Sequence, residues 1–149
     1  MAKKELNFDK NSKLPQVVIG TRIRKGGTYS IDEILPLLDV EGNDKTKCLI
    51  GEDMVKVNTL RLKTFKRKGT TCACCGRQAK YFAVERTAYG NETSFHINLY
   101  GDGNLLFTHD HIIPKSKGGR DNIYNTQTMC EECNQKKGNR TIENNEIWK

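Results

Sequence analysis

Between Leu105 and Arg140 the apolar positions fall in short bursts separated by polar loops. Leu105, Leu106 and Phe107 form an apolar run that gives way, at Asp110-His111, to a loop of Pro, Gly, Ser and Lys. That pattern predicts a strand with an acid and an imidazole at its mouth. Asn125 then precedes a second β-type run, Thr126 to Met129, and Cys130 to Gly138 reads as a short helix. Glu131 and Glu132 suit its first turn, Lys136 and Lys137 its last, and Gly138 the position just past its end. The segment is therefore expected to fold as strand, loop, strand, helix.

Upstream, Lys80 to Glu85 and Thr93 to Tyr100 predict two more strands, connected through Ala88 to Glu92. On the second, Phe95, Ile97 and Leu99 alternate with His96, Asn98 and Tyr100, so one face is expected to pack and the other to stay polar. His96, on that polar face, is expected to be solvated. Gly101-Asp-Gly-Asn marks the turn back to Leu105. Asp102 and Asn104 lack the other acidic ligands of an EF-hand. Before this, Val55 and Val57 alternate like a strand, and Thr59 caps a helix in which Leu62 and Phe65 share a face and Gly69 ends the run. The first fifty residues carry fewer signals: a strand over Gln16 to Ile19, a turn at Gly26-Gly27, and a capped short helix from Ser30 interrupted near Pro36. The polar break from Gly42 to Lys47 is the candidate boundary between a small N-terminal region, 1–50, and a main domain, 51–149.

Composition narrows the function. The chain has 149 residues, 36% of them hydrophobic, and a mean hydropathy of −0.70, so its core is small and a metal staple would help it. A net charge of +7 and a pI near 9.1 favour a polyanionic partner through counterion release. The N-terminal residues contain no apolar signal region and no run is long enough to span a bilayer, so an intracellular protein without membrane contact is expected. Asn91-Glu92-Thr93 is disregarded as a glycosylation acceptor for the same reason. In that setting the cysteine spacing points to metal rather than disulfides. Cys72-Ala-Cys74-Cys75-Gly76 and Cys130-Glu-Glu-Cys133 can present four thiolates to one tetrahedral structural zinc ion, closing the intervening chain at its base. Cys74 permits a second register, but Cys75 makes the two half-sites match and is followed by glycine. Cys48 stands alone and is expected to be a small buried apolar residue.

The order Asp-His, Ile-Ile-Pro, Ser-x-Gly-Gly, an Asn five residues before a Cys, and Cys-x-x-Cys-Asn-x-x-Lys-Gly resembles the HNH nucleases. The resemblance covers about Thr71 to Arg140 and is closest to the zinc-knuckle HNH proteins common in phages and bacteria. It implies an α+β protein with a ββα-metal (His-Me finger) domain that cuts DNA with one divalent cation, leaving 5′-phosphate and 3′-hydroxyl ends. It also implies the cytoplasm of a bacterium or phage-infected host. In that scheme His111 takes the proton from the attacking water. Asp110 and Asn134 ligate the catalytic cation, and as hard oxygen donors they favour magnesium or manganese. Asn125 pins the loop by backbone hydrogen bonds.

Adjacent residues on a strand point opposite ways, so Asp110 and His111 require a bend if both roles hold. His109 is expected to face away from Asp110 and is left out of the site, as is Asn139, which lies beyond Gly138. Lys66, Arg67 and Lys68, on a basic helix leading into the first cysteine pair, are candidates for phosphate contact, as are Lys137 and Arg140. A monomer would nick one strand; a double-strand break would take a homodimer or two successive nicks. The competing reading is a zinc-stabilised nucleic-acid-binding module without catalysis, and a third is a structural phage component. Against both stands the joint presence of Asp110, His111, Asn125 and Asn134, which a binder does not require.

Overall fold

A computed structural model describes residues 5–141. Eight strands and three helices follow one another: β1 (Gln16–Ile19), β2 (Arg22–Ser30), α1 (Ile31–Ile34), β3 (Lys47–Ile50), β4 (Asp53–Lys56), α2 (Leu60–Lys68), β5 (Tyr81–Thr87), β6 (His96–Gly101), β7 (Leu105–His111), β8 (Thr126–Cys130) and α3 (Glu131–Lys137). Six strands make one antiparallel sheet in the order β1-β2-β5-β6-β7-β8, and β3 with β4 forms a separate hairpin. The protein is thus a mixed α+β fold.

Local chemistry accounts for the ends of the helices. Ser30 accepts the Glu33 amide at the start of α1, and a 3-10 turn carrying Pro36 continues it. Thr59 accepts the Leu62 amide at the start of α2, which Gly69 ends at φ 97°. In the register of the sheet, Phe82 stands opposite Leu99, Leu99 opposite Phe107, and Phe107 opposite Cys130. These residues form the core face, onto which α2 packs, with Phe65 edge-on to Phe82. The Thr64 and Thr126 hydroxyls meet at 2.8 Å, and Thr128 donates to the Gly69 carbonyl. Asp110 and Gln127 alternate with these positions and so lie on the opposite face, where α3 packs.

Two expectations change. The sheet runs across the break at residue 50, because β2 of the N-terminal region pairs along β5. Gly26 and Gly27 do not reverse the chain. They sit inside β2, at φ 80° and 75°, where the register against β5 shifts between Lys25 and Tyr29, and the left-handed backbone of the bulge favours glycine. The second face of β6 stays polar, as expected, and it is closed over a buried acid. Glu85 is buried there and accepts from Arg24 at 2.7 Å, from Asn98 at 2.9 Å and from the Tyr100 hydroxyl. Satisfied in this way, a carboxylate can be buried without large penalty. His96, by contrast, is half-exposed, 3.6 Å from Glu92. Cys48 packs against the core.

Candidate active site and metal centre

β7, β8 and α3 bring the sequence-predicted residues to one end of the sheet. The β7–β8 ladder runs through to His111 opposite Thr126, so β7 stays straight through Asp110 and His111. A cleft of about 300 Å³ lies across the strand end and is lined by His109, Asp110, His111, Asn134 and Lys137, with Pro114 from the following loop. The expected bend is unnecessary, because the cleft wraps the end of the strand and meets both of its faces.

Asp110 is only 6% exposed, and the ammonium of Lys137 stands 3.1 Å from one of its oxygens and 3.0 Å from the other. Gln127 donates to the same carboxylate at 3.2 Å. The Lys137 ammonium also donates to the His111 carbonyl at 2.9 Å, and the residue is 1% exposed. α3 turns Lys137 inward onto the acid, so its ammonium sits in the lining of the cleft rather than reaching out from the helix end. Asn134, one turn earlier, lines the cleft beside Asp110. Together they offer two oxygen donors in a place where a positive charge is already accommodated.

His111 meets a partner that the sequence did not reveal. Its Nε2 lies 2.7 Å from Oδ1 of Asp121, in the loop between β7 and β8. That hydrogen bond, aided by the charge of Lys115, holds the Asp121 carboxyl below its ordinary range despite some desolvation. The only sequence signal was an acid in a Gly-rich loop ten residues on. His109 was left out of the site because it faces away from Asp110. It does, but that puts it on the face of His111, whose ring centroid is 5.5 Å away in an edge-on arrangement. Alternation over two residues could have found this. Burial, followed by the charges of His111 and Arg61, lowers the His109 pKa, and its buried Nδ1 has no hydrogen-bond partner among the described residues. Asn139 also lines the cleft.

Asn125 clamps the loop as expected. Its Oδ1 accepts the Ile113 amide, and its Nδ2 donates to the carbonyls of Ile113 and Arg120, all at 2.9 Å. Gly119 makes the close approach possible, because a Cβ there would stand 1.7 Å from the Ile113 carbonyl oxygen. Of the other proposed phosphate contacts, Lys66 donates to the Leu35 carbonyl, Arg67 pairs with Asp39, and Arg140 caps the end of α3 through the carbonyls of Lys136 and Lys137. These three are held by intramolecular partners, while Lys68 is exposed.

The sulfurs of Cys72, Cys75, Cys130 and Cys133 lie within 4.8 Å of one another, forming a group that could hold a metal ion. Cys74 stays outside it, which selects the Cys72/Cys75 register. The turn that presents the first pair closes with the Gly76 amide on the Cys72 carbonyl. Burial pushes the Cys72 thiol up, but backbone amides of Cys75, Cys130 and Cys74 outweigh it and bring it down to about 7. Burial dominates at Cys130 and Cys133 and raises both. Four convergent sulfurs with amides poised for a thiolate fit a soft or borderline divalent cation. Arg77 and Glu132, 2.6 Å apart, tie the two half-sites together outside the cluster.

Comparison with protein families gives a match between residues 102–145 and a family model described as HNH endonuclease. The matched stretch carries β7, β8, α3 and the second cysteine pair, but not the first. No curated protein and no solved structure matches the chain significantly.

Proposed function

We propose that this chain, whose residues 102–145 match the HNH endonuclease family, hydrolyses DNA phosphodiester bonds in the cleft at the end of β7, with β7, β8 and α3 as its ββα-metal unit. The observation that carries this reading is the convergence of Asp110, Asn134 and His111 on one cleft. Asp110 and Asn134 would hold a magnesium or manganese ion, which supplies charge neutralisation at the phosphate and the leaving oxygen. His111 acts as general base. With Asp121 on Nε2, the tautomer that donates to this carboxylate leaves the Nδ1 lone pair free to take a proton from water. Asn125 keeps the loop, and so Asp121, at the right distance from the ring. We assign the four-cysteine group to structural zinc, which would hold α3 against the knuckle at Cys72 and so position Asn134.

The test is an assay of the full chain on supercoiled plasmid with magnesium, manganese or no added divalent cation, with His111→Ala alongside. Metal-dependent nicking that disappears in the variant, while its zinc content and melting temperature persist, is the expected result. Substantial cutting by His111→Ala would overturn the assignment of the base. Salt-sensitive DNA binding with no cutting under any condition would favour the non-catalytic binding module instead. Cys133→Ser should lose zinc and soluble fold together; a zinc-free, stable and active variant would overturn the structural role.

A further inference from the structure

The ladder between β6 and β7 covers only Leu99 to Gly101 against Phe107 to Leu105, leaving the half that leads toward His96 and His111 without paired strands. Arg61 of α2 reaches into this gap and donates to the Ile97 carbonyl at 3.0 Å. Arg22, at the start of β2, comes up to it from the other side, and together they line a small cavity of about 190 Å³ with Asn98 and His96. Burial and then the like charge of Arg22 depress the Arg61 pKa, so the two guanidiniums repel each other across a partly desolvated space.

Among the described residues neither arginine has a carboxylate within ion-pair distance, whereas Arg24, Arg67 and Arg77 each have one. Arg86, which also lines the cavity, is held by the carbonyls of Asn7 and Thr93. The two acids in the lining are already engaged: Glu85 by Arg24, Asn98 and Tyr100, and Glu92 by the Thr87 amide and His96. Two half-buried guanidiniums without an acid are poised for an external anion, and their fork geometry suits a phosphate. The position gives the source. Arg61 stands three residues before Thr64 on α2, and the Thr64 hydroxyl meets that of Thr126, which pairs with His111 in the β7–β8 ladder, so this arginine lies toward the end of β7 that carries the cleft.

We propose that Arg22 and Arg61 form a phosphate-binding site for the sugar-phosphate backbone of the nucleic acid that enters the cleft, outside the segment matched to the family. This rests on the nuclease reading and extends it to substrate positioning. A contact of this kind neutralises one phosphate and releases counterions, whatever the base sequence.

The test measures anisotropy of a labelled DNA duplex with the full chain, without added divalent cation, across a salt series, together with plasmid nicking in magnesium. Arg22→Gln is the main variant because, among the described residues, the Arg22 side chain anchors no backbone group. Arg61→Gln and Arg61→Lys follow, melting temperature is checked for each, and Lys45→Gln, an exposed loop lysine, is the control. Arg22→Gln and Arg61→Gln should each weaken binding several-fold and reduce the slope of log K against log salt by about 1, with Arg61→Lys between them and wild type. An unchanged slope in a folded Arg22→Gln protein that still nicks plasmid would overturn the site and leave the nuclease reading intact. A wild-type protein that neither binds nor nicks DNA would overturn both. If inorganic phosphate binds wild type but not Arg22→Gln while the DNA slope stays unchanged, the cavity is a small-anion site and the nucleic-acid assignment falls.

Discussion

Lys137 and Asp110 form an ion pair at 3.0 Å in which both side chains are buried, at 1% and 6% exposure. It joins the end of α3 to the end of β7, and it sets a positive charge against the carboxylate that the proposed mechanism gives to a divalent cation. Lysine and cation therefore compete for the same oxygens.

Lys137→Met should leave Asp110 buried without its partner and destabilise the protein by about 3–5 kcal/mol. Magnesium or manganese should restore more of the melting temperature in this variant than it adds to wild type, since a cation bound to the folded state alone stabilises it. Thermal denaturation with and without the metal measures both effects. An equal metal response in the two proteins would mean that Asp110 is not a ligand.

Asp121→Asn keeps the shape of the loop but weakens the hold on Nε2 of His111. Nicking turnover should fall by about 10–100-fold, less than in His111→Ala, because the base remains but loses its orientation. DNA affinity should not change. Single-turnover cleavage and anisotropy on the same substrate separate the two quantities; a loss confined to affinity would place Asp121 with the substrate rather than with the histidine.

Asn125→Ala removes three hydrogen bonds from the loop, for a loss of about 2–3 kcal/mol. Trypsin should then cut faster after Lys115, Lys117 and Arg120 while the rest of the sheet stays protected. Gly119→Ala should give the same digestion pattern by a different route, because its methyl group would collide with the Ile113 carbonyl. If Asn125→Ala digests like wild type, the clamp does not hold the loop.

The Tyr100 hydroxyl supplies a pH dependence with a defined sign. Burial and the hydrogen bond to Glu85 push its pKa from 10.0 up to about 12. A raised folded-state pKa means that this contribution is present below pH 10 and lost as pH climbs from 10 toward 12. The limiting slope is about 1.4 kcal/mol per pH unit. Denaturant unfolding of wild type and Tyr100→Phe should show that slope in the first only, so parallel curves would refute the burial of a protonated phenol beside Glu85.

What could be read from the chain was local. The strand over Leu105 to His111, the helix over Glu131 to Lys137 with Gly138 after it, and the caps at Ser30 and Thr59 each follow from residues a few positions apart. The paired cysteines were legible for the same reason, with Gly76 favouring Cys75 over Cys74, whereas the Asn125 clamp was implied only by the resemblance to the HNH nucleases. Sequence by itself determined the strand, loop, strand, helix order that carries Asp110, His111 and Asn134 to the end of β7, but not that Asp121 and His109 join them there.

Only the tertiary structure decided which of those residues are free to act. Lys137 reads as a surface cation from its spacing, yet α3 packs on the face of β7 that carries Asp110, 27 residues away, and the ion pair follows. The alternation along β6 marks one side as polar, but only the fold shows that Arg24, 61 residues before Glu85, closes over it. Arg61 and Arg22 belong to no motif, and it is the short β6–β7 ladder that brings them together. The physical reason is the same in each case: propensity and spacing act over a turn or two of chain, whereas burial and charge pairing depend on which distant elements share a face of the sheet.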